Sequence, residues 1–135
     1  MTPEPLSYLV IDDNQVFATT LARSLEKSGN NVAISHTAEQ ALLENQRSNP
    51  ARIILDLKLE RSSGLTLIGP LKQHNPNVTI VVLTGYSSIS TAVEAIKLGA
   101  HQYLCKPAGI AEIIRAFDHQ PNPETLDLAR NPPSV

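Results

Sequence analysis

Residues 8–15 read YLVIDDNQ: four apolar residues, two adjacent carboxylates, then two amides. A short, continuous, β-rich apolar run is the signature of a strand buried on both faces, in a sheet covered by helices on either side. The change at Asp12 marks the end of that strand. Neighbouring carboxylates repel each other and resist ionisation. Nothing in this stretch neutralises them, so their partners lie elsewhere in the chain.

Working outward, four more apolar runs follow the same plan. NVAIS (31–35), the RIIL run that ends at Asp56, VTIVVLT (78–84) and HQYLC (101–105) predict strands two to five. Helical patterns separate them. From Asn14 to Lys27, Val16, Phe17, Ala18, Leu21, Ala22 and Leu25 recur at roughly helical spacing, and Ser28-Gly29-Asn30 stops the run. Thr37-Ala38-Glu39-Gln40 fits a capping box opening a second helix through about Arg47. Gly64 to His74, Ser88 to Leu98 and Gly109 to about Phe117 supply the other three, with Asn75-Pro76-Asn77 and Gly99 as stops. Five strictly alternating β/α pairs predict an α/β fold, a doubly wound parallel sheet with helices on both faces.

The chain has 135 residues, 41% hydrophobic and 18% charged, with net charge −2. That suits one globular domain, expected over residues 1–119. Residues 120–135 hold four prolines in sixteen positions and read as a linker or tail, with no second domain expected in this chain. The charge gives no pull towards nucleic acid or an anionic membrane. No apolar run approaches the ~20 residues of a bilayer span. The start, MTPEPLS, lacks the pattern of a secretory signal, and a single cysteine fits a reducing compartment, so the expected location is cytoplasmic.

In a parallel sheet of this kind, chemistry sits beyond the carboxyl ends of the strands. Asp12 and Asp13 follow strand one, Asp56 ends strand three, Thr84 ends strand four, and Lys106-Pro107 follows strand five. Only strand two ends without an obvious reactive group. Three carboxylates, a hydroxyl and an ammonium on one sheet edge suit a Mg²⁺ site of hard oxygen ligands. An ionised carboxylate there can act as nucleophile towards a phosphoryl group, with Lys106 and Thr84 meeting the phosphoryl oxygens. Singly, each residue is an ordinary loop or turn former; together they form a constellation.

With VIDDN (10–14), LDLKLERSSGL (55–65), VVLTGY (81–86) and GAHQYLCKPA (99–108), the chain resembles a response-regulator receiver domain of bacterial two-component signalling over about residues 6–118. LDLKLE, SSGLTLI and TGYSSISTAVEAIKLGA make it similar to global redox regulators of the RegA/PrrA/ActR type. The resemblance implies a flavodoxin-like (βα)5 fold with strand order 2-1-3-4-5. It implies Asp56 as phosphoacceptor and Mg²⁺ held by Asp13, Asp56 and the Lys58 carbonyl, with Asp12 acting largely through metal-bound water. Thr84 becomes the switch hydroxyl, Lys106 the ion-pair partner with a cis bond to Pro107, and Tyr103 the aromatic that moves with Thr84. The implied partners are a sensor histidine kinase, a second copy through the face of helix four, strand five and helix five, and DNA only through a missing output domain. Gln102 stands where the common pattern has Asp, and Ala108 where many relatives have Phe, which weakens transfer of that dimer face. Bulky Lys58 and Tyr86, two positions beyond Asp56 and Thr84, point to a long-lived phosphoryl group.

The chain is therefore expected to be a phosphorylation-operated switch in a transcriptional regulator, not a turnover enzyme. One alternative is a stand-alone receiver working by protein contact. Another is a phosphatase of the haloacid-dehalogenase type, disfavoured because Lys58 stands where a second acid is needed. A degenerate receiver is disfavoured because every expected group is present. His36, His74, His101 and His119 are scattered and read as no metal cluster. Cys105 reads as a half-buried small hydrophobe, and Arg23, Glu26 and Lys27 as a solvated helix face.

Overall fold

Sheet strands and helices alternate along the computed structural model, which describes residues 5–59, 62–85 and 89–118. The order is β1 (Ser7–Ile11), α1 (Gln15–Lys27), β2 (Asn31–Ser35), α2 (Ala38–Ser48), β3 (Arg52–Asp56), α3 (Leu65–His74), β4 (Thr79–Thr84), α4 (Ile89–Leu98), β5 (Gln102–Cys105) and α5 (Ile110–Asp118). The sequence expectations for Tyr86, Ser88, His119 and the linker at 120–135 lie outside the described residues. The five strands form one parallel sheet in the order β2-β1-β3-β4-β5, as expected. A two-residue antiparallel ladder, Lys58–Leu59 against Ser62–Ser63, was not foreseen.

Alternation along each strand divides the interior into two cores. Leu9, Ile11, Ile53, Leu55, Ile80 and Val82 pack with Ala41 of α2, Leu67, Ile68 and Leu71 of α3, and Ala95 of α4. Their neighbours Tyr8, Val10, Ile54, Val81 and Leu83 pack with Ala18, Leu21 and Leu25 of α1 and Ile113, Ala116 and Phe117 of α5. Both faces of the central strands are thus dry, which is why their sequences are continuously apolar. Each fully buried aliphatic side chain stabilises the fold by about 1.5–3 kcal/mol relative to exposure.

Local chemistry sets the helix ends. Asn14 caps α1 by accepting from the Phe17 N–H at 3.0 Å. At its other end Gly29 adopts φ +91°, and the Gly29 and Asn30 amides bond back to the Glu26 and Leu25 carbonyls. Thr37 caps α2 at the Gln40 N–H, but the returning bond from Gln40 Oε1 reaches the His36 N–H, one residue before the cap. Arg52, at the foot of β3, lies 5.0 Å from the Phe117 ring centroid and donates to the Tyr8 hydroxyl and to Asp118, pinning the last turn of α5. No helix among the described residues is long and apolar enough to cross a membrane.

Candidate functional site

The register of the sheet delivers the reactive residues to one edge. Asp12 follows the last residue of β1, Asp56 and Thr84 end β3 and β4, and Lys106 follows β5. Backbone bonds continue the ladder past the strands. Asp12 N–H donates to Ser35 O at 3.0 Å, Leu57 N–H to Leu83 O at 2.9 Å, and Lys106 N–H to Thr84 O at 2.8 Å. Each loop is therefore held in position by the neighbouring strand.

Carboxylate oxygens of Asp12, Asp13 and Asp56 lie within 4.8 Å of one another. Asp12 and Asp56 are buried, at 1% and 5% exposure, and Asp13 is the most open of the three. Lys106 Nζ bridges the two buried acids, 3.0 Å from Asp12 Oδ2 and 3.2 Å from Asp56 Oδ2. The remaining oxygens are also directed. Asp56 Oδ1 accepts from the Lys58 N–H at 3.1 Å, and Asp12 Oδ1 from the Asn14 N–H at 2.9 Å. The Lys106–Pro107 peptide is cis, as expected.

Burial is the main force on Asp56 and pushes its carboxyl above the ordinary carboxylate value. The Lys58 amide and the Lys106 ammonium pull it back, while the Asp12 charge adds to the rise. Burial works to lower the Lys106 ammonium, but Asp12 and Asp56 together outweigh it and hold the group above its usual value. Three carboxylates thus face one bridging ammonium. The pocket retains excess negative charge on hard oxygen donors, a set that fits a small divalent cation such as Mg²⁺.

Thr84 is buried at the same edge, and Leu83 before it pairs in register with Asp56. Tyr103 is half-buried in β5 and packs against the core shared with α2, α3 and α4. The Lys58 side chain is exposed. Cys105 corrects its expectation: it is exposed rather than half-buried, because it ends a strand at the edge of the sheet formed by the described residues.

Three contributors escaped the sequence reading. Phe17, taken as part of an apolar helix face, sets its ring 4.6 Å from Lys106 Nζ. Gly64 approaches so closely that a Cβ there would lie 2.5 Å from the Asp56 carbonyl oxygen and 2.8 Å from Leu57 Cα. His36, just past β2, brings Nδ1 to 2.9 Å from the Asp12 carbonyl oxygen.

Comparison with known proteins agrees with this architecture. The family model for the response regulator receiver domain matches residues 8–118. The photosynthetic apparatus regulatory protein RegA of Rhodobacter capsulatus is 44% identical over 113 residues, 82% of this chain and 60% of that protein. The acid tolerance regulatory protein ActR of Rhizobium meliloti is 36% identical over 129 residues, 96% of this chain and 66% of that protein. The chain thus spans somewhat less than two thirds of these relatives. A crystal structure of a response regulator from Burkholderia pseudomallei, with a phosphorylated aspartic acid, a calcium ion and citrate, superposes with TM-score 0.81 at 42% identity, covering 96% of this chain and 76% of that one.

Proposed function

Because the chain belongs to the response regulator receiver domain family, we propose that it is a phosphorylation-operated switch with Asp56 as the phosphoacceptor. The observation that carries this reading is the bridging of Asp12 and Asp56 by Lys106 beside the exposed Asp13. An Asp56 oxygen attacks the phosphorus of a phosphohistidine on a sensor kinase. The P–N bond breaks as the P–O bond forms, and the departing imidazole takes up a proton. Asp12, Asp13, Asp56 and the Lys58 carbonyl would hold Mg²⁺, which when bound supplies charge neutralisation for the phosphoryl oxygens. Lys106 meets the phosphoryl group as a cation, and Thr84 donates its hydroxyl to it.

In this reading the moved hydroxyl of Thr84 frees space on the side of β5, and Tyr103 changes its packing there. Inverting a 1:99 population takes about 5.5 kcal/mol. A few charge-assisted hydrogen bonds of roughly 1.5–3 kcal/mol each supply that. The altered surface of α4, β5 and α5 is the proposed output, passed to a second copy of the chain or to a DNA-binding domain like those of transcriptional regulators. The likeness to the regulatory proteins RegA and ActR supports a role in a transcriptional regulator, exercised in the cytoplasm. Residues 1–119 are proposed as the receiver and 120–135 as its linker or tail. A turnover phosphatase is disfavoured by Lys58, which offers Asp56 a backbone N–H and no second carboxylate.

Incubation with Mg²⁺ and acetyl phosphate, followed by intact mass measurement, tests the chemistry. The expected result is one added phosphoryl group, absent in Asp56→Asn. No gain with any phosphodonor overturns the reading.

A further inference from the structure

We infer that His36 is a positioning residue for the cation-holding acids, acting through the Asp12 carbonyl; this rests on the proposal that Asp12 and Asp13 hold Mg²⁺. The contact joins His36 Nδ1 to Asp12 O at 2.9 Å. A carbonyl oxygen only accepts, so the proton in this bond sits on Nδ1 of the imidazole.

The Asp12 carbonyl shares one rigid plane with the Asp13 N–H. Fixing that oxygen fixes the peptide that launches Asp13, the most exposed of the three acids. The other side of Asp12 is already held, its N–H by Ser35 O and its carboxylate by Lys106 and the Asn14 N–H. His36 thus supplies the restraint on the Asp13 side. It is itself anchored, because the Gln40 side chain accepts from its backbone N–H at 3.0 Å. The first turn of α2, through Gln40 and His36, therefore reaches the metal-holding loop through one imidazole. Outer partners of this kind orient ligands and govern affinity without touching the ion.

The test is calorimetric titration of Mg²⁺ into the full unphosphorylated chain. Wild type, His36→Phe, which keeps a ring and loses the donor, and His36→Asn, whose amide N–H can stand near the Nδ1–H position, are compared. The expected result is about a tenfold loss of affinity in His36→Phe and substantial recovery in His36→Asn, with the unfolding midpoint of metal-free His36→Phe close to wild type. Ring ¹⁵N shifts of wild type should show the proton of the neutral ring on Nδ1. Equal affinity in all three proteins, or loss in His36→Phe without recovery in His36→Asn, overturns the inference while leaving the Mg²⁺ site in place. A neutral ring protonated on Nε2 overturns it directly. Failure of wild type to bind Mg²⁺ overturns both it and the reading beneath it.

Discussion

The ring of Phe17 faces the Lys106 ammonium, 4.6 Å from centroid to Nζ. Because Lys106 is also held by two carboxylates, the ring completes a cage of three contacts around a half-buried cation. A double-mutant cycle on Phe17→Leu and Lys106→Met, read by urea unfolding, should give a coupling of about 0.5–2 kcal/mol. A coupling indistinguishable from zero would mean the ring only fills space.

Asp56 sets a pH dependence whose sign follows from its environment. Its folded pKa lies above the ordinary 3.8 because burial opposes the charge. The folded state therefore binds the proton more tightly than the unfolded chain does, and stability falls as pH rises through that window. In Mg²⁺-free buffer at pH 7, Asp56→Asn should raise Tm by a few degrees, on the order of 1 kcal/mol. The gain should shrink towards pH 4, where wild type is already taking up the proton. A gain that stays constant across pH would contradict this account.

Gly64 tolerates no side chain where it stands. An added Cβ would lie 2.5 Å from the Asp56 carbonyl oxygen, and the atoms it meets are backbone, which cannot swing aside. Gly64→Ala is expected to cost about 1–3 kcal/mol in urea unfolding and to slow phosphorylation by acetyl phosphate. Wild-type behaviour in both measurements would show that the loop yields freely.

Arg52 ties the foot of β3 to the end of α5. Its ion pair with the half-exposed Asp118 is worth little by itself. Its bond to the hydroxyl of buried Tyr8 and its place over Phe117 carry more. Arg52→Met should cost about 1–2 kcal/mol and speed amide exchange in the last turn of α5. Exchange unchanged there would place the anchor elsewhere.

Lys58 stands two residues beyond Asp56 with an exposed side chain, and in the proposed function it crowds the approach of water to the acyl phosphate. Lys58→Ala is expected to shorten the half-life of the phosphorylated protein several-fold, measured by the decay of the mass gain. An unchanged half-life removes Lys58 as the shield.

The fold was legible because strands dry on both faces leave uninterrupted apolar runs, and because Gly29 and Gly99 end helices as only glycine easily can. The reactive edge was legible for a related reason. In such runs the first polar residue marks the strand's end, so Asp12, Asp56, Thr84 and Lys106 declare themselves. What stayed hidden acts through backbone or through space. His36 meets a main-chain carbonyl, which no inventory of side chains contains. Phe17 satisfies the helical period whether its ring meets leucine or lysine. The ladder at Lys58–Leu59 and Ser62–Ser63 is too short to impose any periodicity. The exposure of Cys105 depends on β5 being an edge strand, a property of strand order rather than of its own neighbours in sequence.

Lys106 reaches Asp12 across 94 positions of sequence, with β1 wedged between β2 and β3 and β5 at the far edge. During synthesis, Asp12 and Asp56 leave the ribosome long before the lysine that bridges them. Until β5 has been translated and laid against β4, the acids face one another without that cation. In the proposed function, competence to receive a phosphoryl group is thus a late product of folding, and a nascent or half-built chain stays deaf to any phosphodonor.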